Sequence, residues 1–247
     1  MIKLTFEFIR IYFRNGRAIF WMILLPAIIF LALAVLETYE VVDFNLSVSY
    51  QDFLLPGIIA FAILQNGVYT SAYTLIDYKR SGVLKRLAAT PLRIKDFLMA
   101  QIAARFLIGL LQAVLLITIG TMFFDTKIDP NILYLPLVIF LGNGVFMGFG
   151  FLIAGLARDY EEAAPYSSSI GLGLSFIGDV FFSVQNLPGY LPILAEFLPL
   201  KPLAASLRLS ILGIESGSLT QDIVVLVVWF GLMLLVSQWV FKKLAYR

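Results

Sequence analysis

The chain has neither a cysteine nor a histidine. The first absence removes disulfides and thiol nucleophiles, and the second removes imidazole metal ligands and every Ser-His or Cys-His catalytic arrangement. Charge is scarce too: Asp, Glu, Lys and Arg make up 14% of the 247 residues, against about a quarter in a soluble domain. No Gly-x-x-x-x-Gly-Lys-Ser/Thr phosphate loop occurs, so the chain lacks that means of holding ATP. What it has in plenty is apolar, with 60% hydrophobic residues and a mean hydropathy of +0.92. These absences leave little enzymology and point to a bilayer-embedded chain that is not catalytic by itself.

A hydrocarbon core of about 30 Å takes about 20 apolar residues as helix. Six runs suit that length: 18–36, 53–76, 97–124, 131–157, 163–184 and 223–241. The third holds Arg105, and the fifth is rich in serine and glycine and carries Asp179 near its far end. The segment 186–213 is apolar but interrupted by Pro188, Pro192, Pro199 and Pro202. Proline breaks a helix interior, so short helices re-entering the membrane edge are expected there instead of a further span. The expected fold is all-α, one six-span membrane domain over 1–247.

Lysine and arginine set the orientation. Lys3, Arg10, Arg14 and Arg17 precede the first span, six basic residues separate the second from the third, and Lys242, Lys243 and Arg247 end the chain. The connection from Glu37 to Asp52 has none. Both termini are therefore expected in the cytoplasm, in a multi-pass protein of the cytoplasmic (inner) membrane. Ala32-Leu33-Ala34 has the look of a signal cleavage site, but the apolar run from Ala18 exceeds a signal-peptide core and no cleavage is expected. Lys3, Glu7, Arg10, Arg14 and Arg17 form a polar stripe of helical period opposite Ile2, Phe6, Ile9 and Phe13, which predicts an interfacial helix over 1–17.

The basic loop 77–96 contains SGVLKRLAATPLR, from Ser81 to Arg93. As a helix from Gly82 it places Val83, Leu84, Leu87 and Ala88 on one side and Lys85 and Arg86 on the other, and Pro91 stops it. Lipid anchoring explains the charges; it does not require a terminated amphipathic helix. Gly82, Leu84, Arg86, Leu87, Thr90, Pro91 and Leu92 fit a pattern G-x-L-x-R-L-x-x-[TS]-P-L, and in this the chain resembles the ABC-2 type permeases, the membrane subunits of ATP-driven exporters. Lys85 departs from the pattern, glutamate being common there. A second similarity lies in 186–213, where Pro199, Arg208 and Gly213 match that family's extracellular re-entrant segment. The resemblance implies that Tyr78 to Pro91 is a coupling helix, with Tyr78, Gly82, Leu84, Lys85, Arg86, Leu87, Thr90 and Pro91 docking on a separate ATP-binding subunit. It further implies two copies of that subunit, with ATP and magnesium bound there and no cofactor on this chain, and a second permease copy, identical or sister. Nucleic acid is not an expected partner.

Within the spans, Gln65, Asn66, Tyr69 and Tyr73 make a polar half of the second, suited either to a substrate cavity or to hydrogen bonds between helices. Ser167, Gly171 and Ser175 recur every fourth residue, a stripe suited to helix packing or to a dimer seam; Gly144 and Gly148 are read as packing positions. Arg105 is expected to reach the inner headgroups or pair with a carboxylate. The reading that follows is export of an amphiphilic drug, a lipid or a lipid-linked glycan, among which the sequence does not choose. An ion-gradient-driven transporter is the alternative, for which only Asp179 and Arg105 offer intramembrane charge.

Overall fold

A computed structural model of the chain describes residues 2–14, 16–36, 49–90, 92–184, 188–214 and 218–245. Pro91, the acidic connection up to residue 48 and the start of the 186–213 segment lie outside them. Among the described residues every regular element is helical. α1 (Ile2–Arg14) is the expected amphipathic helix: Ile2, Phe6 and Phe13 are exposed and Phe8 is buried, its ring edge-on to Phe97 at 5.7 Å. The apolar run 18–36, expected as the first span, runs through α2 (Gly16–Ile19), a π-helical turn (Phe20–Leu24) and α3 (Leu25–Leu36). The turn sits against Pro26, whose missing N–H leaves the carbonyl of Met22 without its helical donor.

The second span is continuous from Tyr50 to Arg80, as α4 (Tyr50–Gln65), a second π-helical turn (Asn66–Thr70) and α5 (Ser71–Arg80). Ser49 starts it by accepting the Asp52 N–H, and Pro56 lies inside the helix, past the first turn, where it withholds the N–H that the Asp52 carbonyl would otherwise accept. A short α6 (Val83–Ala88) follows Gly82, which turns the chain at a φ of +70° open to glycine. α7 (Ile94–Phe124) is the third span, 31 residues without a break.

α8 (Leu135–Leu156), entered through a 3₁₀ turn at Pro130–Tyr134, is the central post, with the second span, α7, α11 and α12 packed around it. α9 (Tyr160–Ile177) ends earlier than the sequence pattern suggested. The run to residue 184 is not one helix: a Cβ on Gly178 would collide with Leu200, and Asp179 adopts a φ of +59°, so the chain leaves the helix there and turns back. The proline-broken segment forms two helices, α10 (Leu191–Phe197) and α11 (Leu200–Leu212), parted at Leu198 and Pro199. α11 is buried along most of its length, and Gly213 closes it in the left-handed conformation. α12 (Leu219–Ala245) is the last span.

Four described helices are long and apolar enough to cross a membrane: Tyr50–Arg80, Ile94–Phe124, Pro130–Leu156 and Leu219–Leu244. Phe20–Val35 is apolar but shorter, and α9 opens on Glu161 and Glu162 with several serines in its body.

Candidate coupling surface and polar interior

α6 hangs between two 31-residue helices, Tyr50–Arg80 and Ile94–Phe124. Its apolar side faces inward: Leu84 is 1% exposed and Leu87 packs half-buried against the same core, because α6 lies on α5 and α12. This revises the expectation that Leu84 docks on a separate subunit. What α6 and the turn after it present outward is Lys85, Arg86, Ala89 and Thr90. The element is held in shape locally, with Arg86 Nη2 donating to the Ser81 carbonyl at 3.1 Å and Thr90 Oγ1 to the Leu87 carbonyl at 2.7 Å. Tyr78, half-buried one turn before it, sets its ring against Phe97 at 6.4 Å.

The end of α5 is tied to its neighbours. Lys79 Nζ donates to the carbonyl of Ala157 just past α8, where a helix end leaves acceptors and partial negative charge. Tyr160 donates its hydroxyl to Asp77, and Arg80 lies over the Tyr160 ring at 5.2 Å. Burial foremost, then the Asp77 carboxylate, pushes the Tyr160 phenol above its ordinary value, so it stays a donor at neutral pH. Nothing in the sequence singled out Tyr160, which opens α9 far along the chain.

The four polar residues of the second span divide between two surroundings. Gln65, Tyr69 and Tyr73 face α9: Tyr69 donates to Ser168 Oγ at 3.2 Å, Tyr73 meets Tyr160 edge-on at 5.7 Å, and a Cβ on Gly171 would stand 3.3 Å from the Tyr69 ring and 3.6 Å from Gln65 Oε1. The stripe Ser167, Gly171 and Ser175 is buried within this chain, and its lack of side-chain bulk lets α9 approach that polar face. Asn66 points elsewhere. Its Nδ2 donates to Gln112 Oε1 on α7 at 3.3 Å and approaches the Met22 carbonyl orphaned by Pro26 at 3.5 Å. Arg105 Nη1 donates to the Asn66 carbonyl at 3.0 Å. One asparagine thus joins both π-helical turns and α7 in a buried polar knot. Arg105 pairs with no carboxylate among the described residues and, at 2% exposure, does not reach solvent.

Toward the opposite end, Arg208 on α11 is wholly buried. It pairs with Asp179 through Oδ2 and through the Asp179 carbonyl, and lies over the Phe53 ring at 3.7 Å. Asp179 Oδ1 also accepts the Val184 N–H at 2.8 Å, so one carboxylate fixes both the turn after α9 and α11. A Cβ on Gly57 would collide with the Val180 carbonyl, which shows how closely that turn is seated on α4. Pro199 starts α11 and Gly213 ends it, against Asp129, so these two bracket the buried Arg208.

The sequence profile described as ABC-2 type transporter matches residues 2–212. The chain is 22% identical over 181 residues to the inner membrane transport permease YadH of Escherichia coli, covering 73% of this chain and 70% of that one. It is 22% identical over 232 residues to the putative transport permease YvfS of Bacillus subtilis, covering 93% and 92%. A 155-residue stretch is 23% identical to part of the ABC transporter G family member 20 of Dictyostelium discoideum, 21% of that protein's length. With the profile running from α1 through α11 on an all-helical fold with membrane-crossing helices, the chain belongs to the ABC-2 type transporter family, as a membrane permease.

Proposed function

We propose that the chain supplies half of an export pathway in a complex with a second permease copy and two ATP-binding subunits. It crosses the membrane six times, with α2–α3 and α9 as the shorter spans and both termini cytoplasmic. ATP and magnesium are held by the partner, and α6 receives its motion. The observation that carries the reading is α6 itself: a short terminated helix, fixed to its own chain by Leu84 and offering Lys85 and Arg86 outward, at the junction of two unbroken helices. Movement imposed there passes to α5 and α7 directly, and through Lys79 and Tyr160 to α8 and α9. The polar face of Gln65, Tyr69 and Tyr73 beside α9 is the proposed pathway lining, suited to an amphiphile that carries hydrogen-bonding groups: a drug, a lipid or a lipid-linked glycan. The ion-gradient alternative is weakened because Asp179 is committed to Arg208.

The test is charge reversal on the outward face of α6. Lys85→Glu with Arg86→Glu should remove the ATP-binding subunit from the purified complex while the permease accumulates normally. Leu84→Asp should instead lower the amount of permease, because it buries a carboxylate in the chain's own core. A complex that survives the charge reversal and hydrolyses ATP with wild-type response to transport would overturn the assignment of α6.

A further inference from the structure

The depth of Arg105 follows from the length of its helix. The 31 residues of α7 extend about 46 Å, roughly 16 Å more than a hydrocarbon core. Exposed Met122 and Phe123, with Asp125 just beyond, mark the outer end. The surplus therefore projects from the inner end, and the inner boundary falls about 20 residues before Phe124, beside Arg105. α1 crosses α7 at this level, with the Tyr12 ring 5.6 Å from the Arg105 guanidinium.

Only one corner of that guanidinium is used. Nη1 donates to Asn66, whereas Nε and Nη2, the adjacent pair that forms a two-pronged edge, have no acceptor among the described residues. A buried cation with a whole free edge calls for an anion with two oxygens. Gln101 Oε1, one turn back on α7, is also without a donor, but a neutral amide does not balance the charge. On the ring of Tyr12 that covers this guanidinium borders a crevice lined by Tyr12 and Phe13 of α1, Ile19, Met22 and Ile23 of the first span, and Ile108 of α7. Tyr12 belongs to both features, and Ile108 lies one turn from Arg105.

We propose that this corner binds an acidic phospholipid of the inner leaflet, a site that goes beyond the export reading and does not depend on the substrate. The part of an acyl chain nearest the headgroup lies in the crevice, which is too small to take the whole chain, and the phosphodiester takes the Nε and Nη2 edge as the Tyr12 ring shifts from over the guanidinium. An apolar crevice opening beside a headgroup-level cation fits a lipid, which carries both parts in one molecule. Exposed Lys3, Arg10 and Arg14 on α1 favour a net-negative headgroup over a zwitterionic one.

The experiment uses the full chain in nanodiscs of equimolar phosphatidylglycerol and phosphatidylcholine, followed by gentle extraction and mass spectrometry of the lipid retained. Phosphatidylglycerol should be enriched in the retained fraction, and Arg105→Gln should reduce that enrichment about tenfold. Ile108→Trp, which fills the crevice and leaves Arg105 in place, should reduce retention as well and decides the matter if Arg105→Gln does not accumulate. Excess inorganic phosphate separates the lipid from a free anion: it should neither displace the lipid nor raise heat stability without it. No enrichment in the wild type, retention unchanged by Ile108→Trp, or stabilisation by inorganic phosphate alone would each overturn the proposal.

Discussion

Replacing Arg208 by methionine tests the clamp formed by α4, α11 and the turn after α9. The substitution keeps much of the apolar stem but removes both bonds to Asp179 and the contact over Phe53. It leaves the Asp179 carboxylate, 8% exposed, facing only the Val184 N–H among the described contacts. Breaking a buried pair from one side costs about 3–5 kcal/mol, against near-neutrality when both charges go. At about 1.4 kcal/mol per factor of ten, the clamp should open roughly a hundredfold to several thousandfold more often. Val180, 0% exposed within the turn, is the place to read this out. In a protein without native cysteine, Val180→Cys is the single thiol, and its rate of maleimide labelling reports opening. Arg208→Met and Asp179→Asn should each raise that rate by about two orders of magnitude or more. The double variant should fall well below the product of the two, because the amide introduced by Asp179→Asn still accepts from Val184 while no charge is stranded. Singles that label like the parent, or a double that equals their product, would refute the reasoning.

Three further outcomes can be measured on the same chain. Gly150→Ala should sharply reduce folded protein, since its Cβ would lie 2.6 Å from the Val68 carbonyl and 2.8 Å from that of Gly67, whereas Gly173→Ala meets nothing within 4 Å and should be neutral in heat-stability assays. Asn66→Ala should cost about 1–3 kcal/mol by leaving Gln112 Oε1 and the Met22 carbonyl without their donor, seen as faster heat inactivation in detergent. A cysteine placed at exposed Lys127 should react with an impermeant reagent in intact cells and one at Ser81 should not; the reverse would invert the topology.

Local signals were readable wherever the physics is local. The stripe of α1 follows from its period, the break between α10 and α11 from its prolines, and the stop of α6 from Thr90 and its neighbours. The end of α9 was misplaced because residues up to 184 remain apolar, and hydropathy does not register a left-handed Asp179 or the closeness of Gly178 to Leu200. Partner choices across the chain were also hidden. Asp179 stood out as an ionisable residue in apolar surroundings and Arg208 by its place between Pro199 and Gly213, yet no spacing says that they meet. Asn66 was grouped with Gln65, Tyr69 and Tyr73 because the four are close in sequence, but its side chain turns to the opposite neighbours. One signal did exist for it: Pro26 announces a free carbonyl at Met22, and a buried donor must be found somewhere to meet it.

The glycines of α8 bear on how the chain is assembled during synthesis. Gly144 receives Phe230, Gly148 receives Met233 and Gly155 receives Val240, all from α12. Until α12 leaves the ribosome, that side of α8 is an unfilled trough of bare backbone, and α6, α7 and α11 lack the same neighbour. Insertion of the last helix is then the step that commits the nascent permease to its final packing. A chain released after Gly213 would present the trough to quality-control proteases however well its earlier helices had formed.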